Sequence, residues 1–124
     1  MNSFSIAAVM IYVPDWEDGF AWYQLAFPNA EVKEVKSKKW KYLVIDGVNL
    51  ELVNCDETVP SGIAGTVVYW GTNDFDKRLE YLISIGASLF RGPMEIEGNV
   101  RICQVKDPFG NAFGVRENKN SNES

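Results

Sequence analysis

The 124 residues include no histidine. The side chains that could act as nucleophiles, acids, bases or ligands are therefore chiefly the cysteines, carboxylates and lysines. The lack of histidine excludes Ser-His and Cys-His nucleophiles, imidazole acid–base catalysis and imidazole metal ligands. Cys55 and Cys103 are 48 residues apart, without a CxxC motif or the spacing of a zinc site. We interpret them as free thiols of a protein in the reducing cytoplasm.

Four lysines surround Trp40 and could bind an anion: Lys36, Lys38, Lys39 and Lys41. The same cluster is typical of a solvated hairpin tip, and we favour that interpretation. With 17 acidic against 12 basic residues, the chain has a net charge of -5. Because phosphate binding needs a basic surface, this charge predicts that nucleic acid is not a partner.

The elements that must position these groups are repeated along the chain. Asp15 and Asp74 each follow an apolar, strand-like run and begin a series of large apolar residues at helical spacing, and they are 59 residues apart. Three strand-like runs follow each helix, so each half is predicted as a β-α-β-β-β module. The predicted strands are 6–13, 31–36, 40–45 and 48–54 in the first half, and 66–72, 87–91, 100–106 and 111–116 in the second.

The predicted fold is α+β, with two tandem βαβββ modules forming a curved mixed sheet around a cup-shaped cavity. The modules cover about 5–55 and 64–116 of one domain, 1–116, with a linker at 56–63 and a disordered tail at 117–124. Residues 1–5 lack the basic segment of a signal peptide, and the apolar run at 6–13 is too short to span a membrane. We therefore expect no membrane partner.

Short motifs mark the junctions between the predicted elements. They are Val13-Pro14-Asp15 with Ala21-Trp22-Tyr23, Asp74-Phe75-Asp76 with Ile85-Gly86-Ala87, and the turn Asp107-Pro108-Phe109-Gly110-Asn111. In this order and spacing they resemble the vicinal oxygen chelate superfamily, which includes glyoxalase I, extradiol dioxygenases and bleomycin-resistance proteins. The resemblance covers about residues 5–116 and implies a ligand site inside the cup and a homodimer.

The resemblance also locates the metal ligands that active enzymes of this superfamily carry on four strands. The corresponding positions here are Ala8, Glu51, Val67 (or Thr66, if the alignment slips by one residue) and Gly114. Glu51 alone among Ala8, Glu51, Val67 and Gly114 has a side chain that binds a cation, and one carboxylate cannot form an octahedral site. We therefore expect no metal and no other cofactor, which argues against the metal-dependent glyoxalase, dioxygenase and epimerase reactions.

Strand alternation predicts which side chains line the cup if these four positions face it. The predicted ligand-binding residues are Met10, Tyr12, Asn49, Glu51, Val67, Tyr69, Gly114 and Arg116. Alternation does not decide whether Trp40 and Tyr42 face the cavity, and it allows only one of Arg101 and Gln104 to do so. Arg91 could lie at the rim of the cavity. Such a wall, apolar and aromatic with a few polar groups, is typical of a small-molecule site.

Three functions remain open. The first is a metal-independent protein of the glyoxalase/bleomycin-resistance type that binds a small aromatic or amphipathic molecule; a cation would also suit the tyrosine faces and Glu51. The second is a metal-free enzyme of the same fold, lyase, isomerase or dioxygenase-like, with Glu51 as catalytic acid or base. The third is a non-catalytic accessory domain whose cup is filled by Met10, Tyr69 and their neighbours. We favour the first, without enzymatic activity, as a cytoplasmic homodimer.

Overall fold

The structure is a computed structural model that describes residues 6–57, 60–63, 66–96 and 98–118. The chain divides into two compact units, Met1–Ser61 (unit 1) and Gly62–Ser124 (unit 2). The boundary lies inside the predicted linker, of which residues 58 and 59 are outside the described part. The predictions for the N-terminal segment 1–5 and for residues 119–124 of the tail also fall outside it.

Unit 1 is a four-stranded sheet with one helix. Its elements are β1 Ala8–Val13, α1 Trp16–Ala26, β2 Glu31–Val35, a 3₁₀ turn Lys36–Lys38, β3 Trp40–Ile45 and β4 Val48–Asn54. The strand order is β1-β4-β3-β2, with β1 parallel to β4 and the other pairs antiparallel. The helix begins after Asp15, whose Oδ1 accepts a hydrogen bond from the backbone N–H of Glu17 (3.0 Å).

Unit 2 repeats this arrangement. Its elements are β5 Tyr69–Thr72, α2 Phe75–Ser84, β6 Ser88–Ile96, β7 Val100–Lys106 and β8 Ala112–Glu117, in the sheet order β5-β8-β7-β6. Again the first and last strands are parallel neighbours, and Asp74 accepts a hydrogen bond from the Lys77 N–H at the start of the helix (3.3 Å). The α+β class and the two tandem modules are confirmed, as two separate four-stranded mixed sheets. The cup depends on the arrangement of the two units and stays a prediction.

Strand register shows how closely the two units correspond. Met10 is opposite Glu51 in the β1–β4 ladder, and Tyr69, 59 residues after Met10, is opposite Gly114 in the β5–β8 ladder. Both parallel ladders end on a backbone hydrogen bond of 2.8 Å, from the N–H of Cys55 to Val13 O in unit 1 and from Asn118 to Thr72 O in unit 2. Glu51 and Gly114 therefore occupy equivalent places, as predicted.

Each helix covers one face of its own sheet. In unit 1 the residues under α1 are fully buried: Val13, Leu43, Leu50 and Leu52. A Cβ at Gly19 of α1 would come 2.9 Å from Val13 Cγ2, so glycine permits the close approach of helix and strand. In unit 2 the buried set under α2 consists of Cys103, Val105, Phe113 and Val115, together with Phe75 and Leu82 of the helix. We call the opposite side of each sheet its helix-free face.

Several strand boundaries differ from the prediction by one residue or more, and three of these differences follow from contacts in the structure. β5 begins at Tyr69 rather than at residue 66, because its ladder with β8 begins at the Tyr69–Gly114 pair. β6 continues through Gly92-Pro93 to Ile96, whereas the predicted strand ends at Arg91. The strand passes the proline with register shifts on each side of Arg91, which an edge strand tolerates because its outer N–H groups need no partner.

The third difference is at the C-terminal end, where the tail was predicted to begin at residue 117. Glu117 is the last residue of β8 and accepts a hydrogen bond from the Arg101 backbone N–H (3.2 Å). Asn118 follows the strand and its side-chain amide donates to Asn73 Oδ1 (3.0 Å). These contacts with distant residues hold 117 and 118 in place. Neither of the two described helices is long and apolar enough to cross a lipid bilayer.

Candidate functional site

The candidate site is a groove of about 230 Å³ on unit 2, where strands β5, β6 and β7 contribute its wall. The lining residues are Tyr69, Arg91, Met94, Ile102 and Gln104, together with Cys103, which lies between Ile102 and Gln104 on β7 and is itself buried. Tyr69 is 38% exposed and Met94 46% exposed, so both apolar surfaces are open to an incoming molecule. The wall thus combines apolar area with one guanidinium and one amide.

Tyr69 is held in place on two sides. A Cβ at residue 114 would overlap the ring, so the ring lies over the bare backbone of Gly114. Its hydroxyl accepts a hydrogen bond from Gln104 Nε2 (2.9 Å), and Gln104 is itself opposite Gly114 in the β7–β8 ladder. The tyrosine is therefore a fixed aromatic surface at the edge of the groove rather than a freely rotating side chain.

The predicted ligand residues of unit 2 are distributed around this groove. Tyr69 lines it directly, and Gly114 lies beneath the Tyr69 ring. Arg116 is exposed and is opposite Ile102, which lines the groove, so it shares the helix-free face. Val67 is half-buried and precedes β5 instead of lying within it.

The predicted ligand residues of unit 1 share the helix-free face of their own sheet. Met10 is opposite Glu51, and Tyr12 is opposite Val53. The buried Leu50 and Leu52 alternate with them toward the helix. The amide of Asn49 donates to Glu51 Oε2 at 3.4 Å, and both side chains are half-buried. Glu51 is therefore a hydrogen-bonded carboxylate on an apolar strand surface.

The lysine cluster of unit 1 lies at the 3₁₀ turn between β2 and β3, with all four lysine side chains exposed. Trp40 is half-buried: its Nε1–H donates to Leu52 O (3.1 Å), and its ring centroid is 5.6 Å from that of Tyr42 and 6.4 Å from that of Trp16. Trp40 thus packs within its own unit, and the four lysines are exposed to solvent, as the hairpin-tip interpretation expects.

Arg101 and Gln104 point to opposite faces of β7, as alternation predicted. Gln104 lines the groove, whereas Arg101 pairs with Asp76 (3.0 Å) and Glu117 (3.1 Å) and its guanidinium lies 4.7 Å from the Phe75 ring of α2. The side-chain hydrogen bonds from Arg101 lower the pKa of the Glu117 carboxyl below its usual value, and those to Asp76 and Glu117 raise the pKa of the guanidinium. Arg101 therefore anchors α2 to the sheet.

The donor set does not fit the metal that the superfamily's enzymes use. Ala8 and Val67 have no donor atoms, and Gly114 is covered by the Tyr69 ring. Among residues 6–57, 60–63, 66–96 and 98–118, no three cysteine, aspartate or glutamate side chains converge on a point where they could hold a metal ion. Glu51 is the one donor among the four expected positions, so we derive no step through a metal.

Five groove residues were absent from the predicted ligand set: Arg91, Met94, Ile102, Cys103 and Gln104. Met94 lies three residues beyond Arg91, at which the predicted strand ended. Gln104 and Arg91 were recognised as candidates, but their place next to Tyr69 depends on the pairing of β6, β7 and β8. The signal that could have identified Met94 is the resumption of apolar residues after the proline.

Comparisons with known proteins agree at the level of fold. No family model and no curated protein sequence matches the chain. Among solved structures, a glyoxalase/bleomycin resistance protein/dioxygenase family enzyme from Burkholderia phytofirmans PsJN matches with a TM-score of 0.72 and 20% identity, covering 90% of this chain and 96% of that one. A superfamily member from Sphaerobacter thermophilus DSM 20745 matches with a TM-score of 0.74 and 19% identity, covering 94% and 98%.

A third match is a glyoxalase/bleomycin resistance protein from Albidiferax ferrireducens T118, with a TM-score of 0.68 and 14% identity over 91% of this chain and 98% of that one. At these identities the likeness concerns the fold. The chain thus has the fold of the glyoxalase/bleomycin resistance protein/dioxygenase superfamily, which is the vicinal oxygen chelate architecture that the motifs predicted.

Proposed function

We propose that this protein binds a small aromatic or amphipathic molecule in the groove of unit 2 and needs no metal to do so. The observation that carries the proposal is the Tyr69 ring, which is exposed on the groove side and fixed by Gly114 and Gln104. A ring held in one orientation offers a ligand a stacking surface with little loss of side-chain entropy on binding.

The size and chemistry of the groove support a small ligand. About 230 Å³ is below the range of about 300–1,000 Å³ that is typical of pockets for drug-sized compounds. Met94 and Ile102 supply apolar contact, while Arg91 and the Gln104 amide supply the few polar groups that orient a ligand. Tyr69 and Met94 are exposed at the groove, which favours a binding protein over an accessory domain with a filled cavity.

The experiment that tests the proposal is ligand-detected and protein-detected NMR on the full chain, with a library of small aromatic compounds, in buffer with and without EDTA. We expect hits that shift the backbone amide signals of residues 91, 92, 94 and 102–104, with affinities that EDTA does not change. Hits that shift no groove signal, or that require a divalent metal, would overturn the proposal.

A matched pair of variants sharpens this test. Met94 lines the groove, whereas Ile83 is on α2 and has the same exposed fraction, 46%. Met94→Ala should weaken binding of a groove ligand about three- to tenfold, because about 1 kcal/mol of apolar contact is lost. Ile83→Ala should leave the affinity unchanged, since it removes similar exposed apolar area elsewhere in the same unit.

The alternative of a metal-free enzyme rests on Glu51 of unit 1. Its half-buried carboxylate and the Asn49 amide at 3.4 Å are compatible with an acid–base group and with a merely structural one. Glu51→Gln separates the alternatives: binding at the groove of unit 2 should persist in this variant. Turnover of any hit compound by the wild-type chain, lost in Glu51→Gln, would favour the enzyme.

We place the protein in a reducing compartment such as the cytoplasm, as a homodimer. The two cysteines are free thiols, which supports a reducing compartment.

The homodimer is supported by the edge strand β6, which exposes Leu89 (44%) and Phe90 (38%), apolar area that a second copy could cover. Sedimentation velocity at micromolar concentration should show a dimer that Leu89→Glu dissociates; a wild-type monomer would overturn this assignment.

A further inference from the structure

The helix-free face of unit 2 carries positive charge, although the protein as a whole has a net charge of -5. Arg91 lines the groove together with Ile102 and Gln104. Arg116 is opposite Ile102 in the β7–β8 ladder, and Lys106 is two residues beyond Gln104 on β7. Because directly opposite residues and alternate residues of a strand share a face, three cationic side chains flank the groove.

The carboxylates of this sheet lie on its other face. The described strands of unit 2 contain two, Glu95 and Glu117. Glu117 binds the guanidinium of Arg101 at 3.1 Å, and Glu95 is opposite Arg101 in the β6–β7 ladder. Arg101 in turn lies against the Phe75 ring of α2, which marks this side as the helix face. The strand residues that the structure describes thus put no carboxylate beside the groove.

The cations at the groove also lack carboxylate partners from elsewhere in the described part of the chain. Within it, neither Arg91 nor Arg116 forms an ion pair. The Lys106 ammonium lies 4.8 Å from the centroid of the Phe90 ring, a contact that leaves its charge uncompensated. Uncompensated guanidinium groups beside an aromatic wall are suited to a planar ring that carries an acidic group.

We propose that the groove is specific for aromatic acids, with the ring of the ligand against Tyr69 and Met94 and its carboxylate or sulfonate at the Arg91 guanidinium. Lys106 and Arg116 contribute a favourable field that attracts the anion and steers it toward the groove. This inference rests on the proposed function and specifies its ligand class. It also disfavours a cationic ligand at this groove, since such a ligand would meet three like charges.

Two fluorescent probes test the inference because they differ only in the acidic group. 8-Anilinonaphthalene-1-sulfonate is an aromatic anion, and N-phenyl-1-naphthylamine is the same aromatic framework without the sulfonate. In titrations of the full chain, the sulfonate should bind more tightly than the neutral amine. Raising the ionic strength from about 0.01 M to about 0.15 M should weaken binding of the sulfonate alone, since salt screens exposed charges.

Substitutions test whether the tighter binding of the sulfonate arises at the groove. Arg91→Gln should weaken binding of the sulfonate about two- to fivefold, the range for one exposed ion pair, and should weaken binding of the neutral probe less. Adding Lys106→Gln should weaken the sulfonate further. Lys77→Gln removes the same charge from the exposed surface of α2 in the same unit and should affect neither probe.

The possible outcomes separate this inference from the proposed function. Equal affinity of the two probes, or equal weakening of both by Arg91→Gln, overturns the specificity for aromatic acids and leaves aromatic binding intact. If neither probe binds, or if Met94→Ala alters the affinity of neither, the groove is not a ligand site and both proposals are wrong. Circular dichroism of each variant checks that the fold is retained.

Discussion

The phenol ring of Tyr69 lies over Gly114, its partner on the neighbouring parallel strand, so closely that a Cβ at residue 114 would overlap the ring. The equivalent pair in unit 1 is Met10 and Glu51. Unit 1 thus has a carboxylate at one of the four positions that the resemblance assigns to metal ligands. At the equivalent position unit 2 has a glycine, and an aromatic ring lies over it.

The first prediction concerns this pair. Gly114→Ala should lower the free energy of unfolding by about 1–3 kcal/mol, because the added methyl group overpacks against the ring. Tyr69→Ala in the same chain should remove most of that penalty, which a double-mutant cycle by urea denaturation measures. Gly62→Ala is the control, since a Cβ at Gly62 meets no atom within 4 Å. Additive effects of the Tyr69 and Gly114 changes would contradict the steric explanation.

Divalent metals should not stabilise the protein, because the four expected ligand positions provide one donor side chain. A site with a Kd of about 10 μM would add about 2.7 kcal/mol at about 1 mM metal, and so raise the melting temperature by several degrees. We expect a change of less than about 1 °C with Mn²⁺, Ni²⁺ or Zn²⁺, and none on adding EDTA. A reproducible rise with any one ion would refute the metal-free assignment.

Acid should destabilise unit 2 partly through Glu117. Since Arg101 lowers the pKa of this carboxyl in the folded state, its contribution is fully present above the ordinary value of 4.5 and is lost as the pH falls through the lowered pKa. Glu117→Gln should therefore show a smaller drop in melting temperature between pH 7 and pH 3 than the wild type. Glu80→Gln, an exposed change on α2, should keep the full drop; if Glu117→Gln keeps it too, Arg101 is not the cause.

The two thiols should differ in reactivity. Cys103 is 2% exposed, and burial raises the pKa of its thiol, which reduces the thiolate that attacks a reagent. Cys55 is only half-buried. Iodoacetamide at pH 8 should modify one thiol of the native chain, and mass spectrometry should place it at Cys55. Cys55→Ser should react only after denaturation; rapid modification of that variant would mean that Cys103 is accessible.

Local sequence patterns were sufficient to predict most of the secondary structure. Asp15 and Asp74 cap helices where the sequence predicted them, because a capping side chain bonds to an N–H two or three residues away. The bounds of β3 and β4 agree with the prediction as well, since Asp46 and Gly47 both adopt the positive φ that a tight hairpin turn requires. The predicted end of β6 at Arg91 was wrong, since a strand at a sheet edge can continue past a proline such as Pro93.

The candidate site was predicted only in part, for a related reason. Alternation along single strands correctly grouped Met10 with Tyr12 and separated Arg101 from Gln104. It could not place Met94 and Arg91 beside Tyr69, which is more than 20 residues away in sequence. Their proximity follows from the register of β6 on β7 and of β7 on β8, and a shift of one residue in either ladder would turn those side chains to the other face.

The sequence by itself determined that imidazole chemistry is excluded, because the absence of histidine does not depend on how the chain folds. It also determined the duplicated module, since caps, turns and alternation are local. Only the tertiary structure decided that the Tyr69 ring packs on Gly114. It also decided that Arg91, Lys106 and Arg116 flank the groove of unit 2, while the carboxylates of the sheet lie on its helix face. Those are consequences of strand register between distant segments, which the packing of the buried face selects.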